Sequence, residues 1–483
     1  MPSKNFLIQR LGLAGASNVL ATLGALILIP VLTKNLTITD FGSWAIFMAT
    51  IGLMPTIAML GLGNSMMRFL PSLTDARAIQ EAFYSLLSCV VIVSLVISGL
   101  FMTFARQIAI STFNNELGVA LFLPISIFIA CLNAFLLIYF RTFQQITKYS
   151  ALILLQTYSQ VAFISYFVLT SHTLQGAVIG LLIAQLVLLS IIVFLILRQI
   201  GIVLPRFTNM REYIHLGLPL LPASLSGWIT NSSDVYIIGL LLGTAAVGYY
   251  SPAYSLGRSI TMLSQPFIII FPALLAKYYD TGEVHSVRTI MQYSWKYYFG
   301  IAIPSVCALS VLSKPILTII STPDIAAHSY LVVPFIAAGA LFLGAYEVVI
   351  IAITLKKKTP VTALIWMVAA ALNVGLNLIL IPYLGILGAA ITTLVAYIVA
   401  FTFTASYSFR HFKFDIGTAF IIKCVGTSAA ISLLLFFWNP AGLASIILSV
   451  GVSAAIYLSI LLALRGFTTE EINFFLRILK GSQ

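Results

Sequence analysis

The sequence predicts an all-α integral membrane protein of about fourteen transmembrane helices. Three observations carry that prediction. The 483 residues are 60% hydrophobic and 8% charged, with a mean hydropathy of +1.07. Apolar runs of about twenty residues, each long enough to cross a bilayer, follow one another along almost the whole chain. Finally, the cations sort by loop. With the N-terminus in the cytoplasm, twenty of the 25 Lys and Arg residues fall on the inner side; Lys34, Arg106 and Lys314 fall outside, and Arg258 and Lys423 lie within spans. That is the positive-inside bias, which a wrong odd number of spans would scramble downstream. Both termini are therefore expected in the cytoplasm.

The first span, near 13–33, follows Lys4 and Arg10 as a signal peptide would. It runs on into Pro30-Val31-Leu32-Thr33-Lys34 without a small-residue cleavage site, so its retention is expected. Further spans fall near 41–61, 83–103, 118–139, 150–170 and 175–197. A second group falls near 217–242, 249–275, 297–320, 330–355, 361–382 and 387–408. Two more lie near 416–438 and 442–463. Splitting 297–320 at Pro304 is the alternative, although a proline in a membrane helix usually kinks it rather than ending it.

The chain repeats itself. Leu132-Asn133-Ala134 matches Leu343-Gly344-Ala345, and Gly176-Ala177-Val178-Ile179 matches Gly388-Ala389-Ala390-Ile391. Earlier in each half, Leu11-Gly12-Leu13 echoes Leu216-Gly217-Leu218, and Phe41-Gly42 echoes Val247-Gly248. The order and near-constant offset point to duplication of a six-span unit. An even number of spans gives two copies of the same orientation, related by an axis along the membrane normal. The expected division is an N-terminal lobe over 1–200, a C-terminal lobe over 201–412, and two additional spans with a cytoplasmic tail over 413–483.

Polar residues inside the spans are the candidate functional positions, because a charge in hydrocarbon is costly and normally faces a bundle interior or a watery cavity. The segment from Leu216 to Leu275 reads as two helices joined by Gly243-Thr244-Ala245-Ala246-Val247-Gly248. Its first helix carries Ser224, Gly227, Asn231 and Asp234 on one face; its second carries Tyr250, Tyr254, Arg258, Thr261 and Gln265. Counted from the turn, Asp234 and Arg258 sit at one depth, roughly 14 Å from the same membrane surface. The pair reads as a substrate site or as a structural ion pair holding the hairpin. Asn64 and Arg68, one turn apart at a helix end, suit headgroup capture or interfacial anchoring. Glu347, a lone carboxylate about eight residues inside its span, is a candidate for ion-coupled proton exchange. Asn373 and Asn377 suit interhelical hydrogen bonding. Gln156 and Gln160 are placed to line the first lobe. Lys423 can snorkel, and Lys356-Lys357-Lys358 reads as a topology determinant.

Other classes are disfavoured. The basic surplus is a topological signal with some attraction to anionic headgroups, not a nucleic-acid surface. Cys89, Cys131, Cys307 and Cys424 are far apart in apolar segments and match neither a metal spacing nor a disulfide framework. No P-loop is present, so direct ATP use is not expected, and no cofactor or metal is implied. No outer loop is long enough to carry a polar catalytic site, and no paired carboxylates or metal cluster appear in the sequence, so the chain is not read as an enzyme.

An ordered set of motifs brings in a resemblance. Its members are Leu32-Thr33-Lys34 with Asp40-Phe41-Gly42; Leu60-Gly61-Leu62-Gly63-Asn64 with Arg68-Phe69-Leu70; Leu218-Pro219-Leu220 with Asn231-Ser232-Ser233-Asp234; Gly248-Tyr249-Tyr250 with Ala253-Tyr254; and Asn373, Asn377 and Ile381-Pro382 leading to Gly385-Ile386-Leu387-Gly388-Ala389-Ala390. Together they resemble polysaccharide-biosynthesis flippases of the multidrug/oligosaccharidyl-lipid/polysaccharide exporter superfamily. The resemblance implies two six-helix lobes around a central cavity, and a polyprenyl-diphosphate-linked oligosaccharide moved across the cytoplasmic (inner) membrane by alternating access. The product would feed O-antigen, capsule or exopolysaccharide synthesis, with membrane lipid, a polymerase and glycosyltransferases as partners. The expected substrate contacts are Arg258, Asp234, Asn231, Tyr250, Tyr254, Gln265, Asn64 and Arg68. Two alternatives come from the same superfamily. One is a multidrug/cation antiporter, which normally has twelve spans. The other is a peptidoglycan-precursor flippase, which usually shows several arginines in its first-lobe spans.

Overall fold

A computed structural model of the chain describes residues 4–356, 358–467 and 471. Lys357 and most of the C-terminal tail lie outside the described residues. Every regular element among the described residues is helical, as a bilayer requires of a chain that cannot leave backbone groups unpaired in hydrocarbon. The helices are α1 (Lys4–Asn35), α2 (Ile38–Ala58), α3 (Leu62–Phe69), α4 (Ala76–Thr103), α5 (Ala105–Thr112), α6 (Leu117–Thr142), α7 (Ile146–Ser171), α8 (Leu174–Ile200), α9 (Met210–Gly217) and α10 (Leu221–Leu242). There follow α11 (Thr244–Arg258), α12 (Gln265–Asp280), α13 (Val284–Val311), α14 (Ser313–Ile320), α15 (Pro323–Ser329), α16 (Val332–Leu355), α17 (Thr359–Leu384), α18 (Ile386–His411), α19 (Thr418–Trp438) and α20 (Leu443–Ala463).

Eleven of the described helices are long and apolar enough to cross a membrane, and twelve if the bent pair α13–α14 is one span. The chain is therefore a multi-pass membrane protein. Pro304 does not divide α13; the break comes at Leu312, where α14 turns away by 72°. The expected fourteen included two segments that fall short of that standard, and both fall short for a physical reason. Helix α10 has its apolar character diluted by Ser, Thr, Asn and Asp. The next segment is interrupted between α11 and α12 by a 3-10 turn over Ser259–Ser264. There Ser259, Thr261 and Ser264 each turn their hydroxyls onto the carbonyl three residues back, at 2.7–2.9 Å, the local competition that loosens a helix.

Helix lengths recur. Helices α4 and α13 are both 28 residues long, and α5 and α14 are both 8. Each pair is separated by the same 208-residue step, from 76 to 284 and from 105 to 313. Helices α7 and α17 are both 26 residues long. The packing recurs as well: α1 lies along α7, and α10 lies along α17.

The chain groups into two compact units, 1–255 with 358–400 and 256–357 with 401–483. In the first unit Phe47, Phe113, Ile127 and Leu181 form one apolar core, and Phe83, Phe135 and Phe140 anchor another. In the second, Trp295, Tyr298, Val348 and Tyr457 form the main core. In lipid this burial acts through close packing rather than through release of water. The four cysteines are free thiols, with Cys131 and Cys424 buried.

Candidate functional site

A connected polar network occupies the first unit, inside otherwise apolar helices. It starts on α10, where the 3.6-residue period brings Asn231 and Asp234 to one face. Asp234 is 2% exposed. A carboxylate so placed needs donors to offset its lost hydration. Tyr250 of α11, itself fully buried, donates its hydroxyl to Asp234 Oδ2, and the Val235 N–H lies 3.0 Å from Oδ1. Tyr254, one turn beyond Tyr250, donates to the Asn231 carbonyl at 2.6 Å, and the two tyrosine rings pack 5.5 Å apart. Tyr397 of α18 donates to Asn231 Oδ1 at 2.6 Å.

The network continues into α17. Ser233 donates to Asn373 Oδ1 at 3.1 Å, and Asn377 Nδ2 donates to the same oxygen at 3.1 Å. Thr392 of α18 donates to Asn377 Oδ1. Asn373, Asn377 and Thr392 are all fully buried. The two asparagines thus make the interhelical hydrogen bonds that their one-turn spacing implies. Four helices are tied together by side chains that hydrocarbon would otherwise reject.

Sequence reasoning did not find Tyr397, Thr392 or Ser233. Tyr397 and Thr392 sit among Ile, Leu, Val and Ala on α18; a threonine in such a run is normally satisfied by its own helix, and a single tyrosine there forms no polar face. Only the partner across the interface gives it meaning.

The remaining expected residues fall each in its own unit. Arg258 ends α11 in the second unit, half-buried, and Gln265 opens α12 after the 3-10 turn. Glu347 is half-buried on α16 and has no hydrogen-bond partner among the described residues. The Tyr298 hydroxyl donates to the Leu341 carbonyl at 2.8 Å and lies close against Gly344, one turn before Glu347. Asn64 and Arg68 stand on the short helix α3, with Arg68 exposed. Helix α3 is held to α9 by Ser65, which donates to the Tyr213 carbonyl at 2.6 Å. The structure thus brings Asn231, Asp234, Tyr250 and Tyr254 together and leaves Asn64 and Arg68 in a different place on the first unit. No cluster of three or more metal-ligating side chains is present among the described residues.

A cavity of about 530 Å³ also opens in the first unit between α2, α5 and α10. Its walls are mostly apolar, including Met54, Phe101, Trp228 and Leu240. One hydroxyl pair, Thr50 Oγ1 and Tyr236 OH at 2.7 Å, marks its polar side. Ligand sites have this make-up of apolar walls with few, fixed polar groups.

Comparison with known proteins agrees with this architecture. A family described as "Polysaccharide biosynthesis protein" matches residues 8–277. The chain is 28% identical over 216 residues to the probable low-salt glycan biosynthesis flippase Agl15 of Haloferax volcanii, an alignment covering 44% of this chain and 45% of the relative. The chain thus spans less than half the length of the curated relative it matches. Among solved structures, it is similar to lipid II flippase MurJ in an inward closed conformation, with a TM-score of 0.78 and 15% identity, covering 94% of this chain and 98% of that one. It is also similar to an inward-facing multidrug-resistance MATE transporter of the MOP superfamily, at 0.67 and 15%, covering 80% and 94%. With the family match extending over more than half of its length, the chain belongs to the polysaccharide biosynthesis protein family.

Proposed function

We propose that the chain is a flippase that carries polyprenyl-diphosphate-linked oligosaccharide across the cytoplasmic membrane for surface polysaccharide synthesis. The observation that carries this reading is the family match over residues 8–277 in a chain whose fold resembles that of a lipid-linked precursor flippase. The spans divide into lobes over 1–200 and 201–412, with 413–483 additional, and α10 and α11–α12 complete the fourteen. Both termini lie in the cytoplasm, and the lobes rock to expose the site to each side in turn. The positive-inside sorting supports this topology. Single cysteines at Thr244 and Asp324 are expected to react with an impermeant thiol reagent on intact cells, and a cysteine at Lys356 is not.

The chemistry of the residues supports the substrate class. A lipid-linked diphosphate needs cationic donors for phosphate, hydroxyls and flat faces for sugar, and an apolar path for its tail. Arg258 supplies a planar fork suited to phosphate oxygens. Tyr250, Tyr254, Asn231, Asp234 and Gln265 furnish the polar wall, with Asn64 and Arg68 meeting the headgroup at the cytoplasmic end. Tyr250 donates to Asp234, and that bond helps to fix the hairpin that presents Arg258. The apolar cavity beside Trp228 is roomy enough for a stretch of the tail. Glu347 couples transport to an ion gradient by exchanging a proton. A polymerase and glycosyltransferases act on either side of the step.

A deletion strain tests the assignment. It is expected to lose surface polysaccharide and to accumulate the complete lipid-linked unit on the cytoplasmic face. Normal surface polysaccharide in that strain, with altered export of small cations instead, would favour the antiporter reading.

A further inference from the structure

Helices α2 and α11 meet at their N-terminal ends with backbone close against backbone. A Cβ added to Gly42 would collide with the Thr244 carbonyl oxygen and stand 3.0 Å from the Gly248 nitrogen. A Cβ added to Gly248 would collide with the Ile38 carbonyl oxygen and stand 3.0 Å from the Ile38 side chain. A carbonyl in a helix cannot rotate aside as a side-chain tip can. Both glycines have ordinary helical backbone, so local conformation does not call for glycine at either position. Glycine in a helix interior is destabilising relative to alanine. The close approach is what that cost obtains.

The contact is reciprocal. Position 38 meets 248 and position 244 meets 42, and both pairs exchange under one 206-residue step, from 38 to 244 and from 42 to 248. Mutual contact between equivalent positions is the signature of a two-fold interface. Here it lies within one chain, where a segment meets its own duplicate. A contact on the repeat axis is the one that a rocking of the repeats must open or close. It also brings together two helix N-termini, whose partial positive charges repel. Such a contact closes by fit and parts at small cost.

We propose that Gly42 and Gly248 are positioning residues for transport: a backbone latch whose closure requires glycine at both positions and whose parting admits the outward-open state. This rests on the alternating-access reading above. The test is chosen so that the two can fail separately.

The four native cysteines are replaced by serine, Lys34 and Leu242 are changed to cysteine and spin-labelled, and interspin distances are measured in lipid nanodiscs. The chain with both glycines is expected to show a short distance, joined by a longer one when undecaprenyl diphosphate is added. Gly42→Leu and Gly248→Leu are each expected to remove the short population. Gly99→Leu, where an added Cβ meets nothing, is expected to keep it. Persistence of the short population in Gly42→Leu overturns the proposal. A single distance in the glycine-bearing chain, unmoved by undecaprenyl diphosphate, also overturns it, whether or not the variants fold. If the distances switch as expected while no lipid-linked sugar is ever flipped, the latch stands and the flippase assignment falls.

Discussion

The helix pairs α1–α7 and α10–α17 are one frame filled in two ways. Both pairs run side by side in the first unit, and α7 and α17 have equal length. The first pair closes mainly by apolar fit, with one hydrogen bond from the Tyr158 hydroxyl to the Leu20 carbonyl at 3.3 Å. Gly24 lets Thr157 and Tyr158 approach, so that a Cβ there would stand 3.0 Å from the Thr157 methyl, and Ile164 is buried in the core. The second pair closes through Ser233, Asn373 and Asn377. With α7 and α17 aligned from 146 and 359, Gln160 stands where Asn373 stands and Ile164 where Asn377 stands. With α2 and α11 aligned from 38 and 244, Gly52 stands where Arg258 stands. The two pairs share helix length and packing, while the interhelical polar side chains named here belong to α10–α17. Scaffold and chemistry are therefore separable, and substitutions at equivalent positions should have unequal effects.

Arg258 against Gly52 is the sharpest contrast. Arg258→Lys keeps the charge and loses the planar fork. We expect transport to fall about tenfold or more, equivalent to about 1.4 kcal/mol, while the protein accumulates normally in the membrane. Near-normal transport would make Arg258 a structural cation. Gly52→Ala, which has no counterpart role, should leave transport near normal.

Asn373 against Gln160 tests stability. Asn373→Leu strands Ser233 and Asn377 in the interior, at about 1–3 kcal/mol per unsatisfied group. Gln160 is half-buried and has no hydrogen-bond partner among the described residues, so Gln160→Leu should stay within about 0.5 kcal/mol. Thermal unfolding in detergent reads both. Equal effects would dissolve the distinction between the two pairs.

Much of the scaffold was legible because hydrocarbon leaves few options. Apolar runs of spanning length become helices, and the echo of Phe41-Gly42 in Val247-Gly248 falls on two glycines that the structure places close together. The spacing of Asn373 and Asn377 gave away their interhelical bonds. The interruption after Arg258 was not legible, because Ser259, Thr261 and Ser264 turn onto their own backbone, and their helical spacing looks the same whether or not they do. The Tyr250–Asp234 bond was hidden for a different reason. Sequence spacing offers Asp234 an opposite charge at matching depth, but it does not show which hydroxyl also reaches a buried carboxylate, which accepts any well-placed donor.

Glu347 extends the contrast to α16. By the match of Leu132-Asn133-Ala134 with Leu343-Gly344-Ala345, it stands where the buried Leu136 stands. Glu347→Gln is expected to weaken transport and to remove its pH dependence; unchanged pH-dependent transport would leave it a structural residue.

The smallest expected effect lies at Glu116, between α5 and α6. Burial, together with the nearby Asp40 carboxylate, pushes its carboxyl above the ordinary value. A raised carboxyl contributes stability that is present below the unfolded value and lost as pH rises through the folded one. Glu116→Gln should therefore melt slightly higher than the parent at pH 7, with the gap closing below pH about 4.5. A gap that persists at low pH would contradict that origin.

The central claim is tested most directly with purified protein in liposomes carrying a fluorescent polyprenyl-diphosphate oligosaccharide in both leaflets. An impermeant reductant quenches the outer leaflet at once. In vesicles holding this protein the protected half should then decay as molecules are carried outward, and Arg258→Lys should slow that decay. A protected half that stays constant with the unsubstituted protein, under an imposed ion gradient as well as without one, would contradict the account.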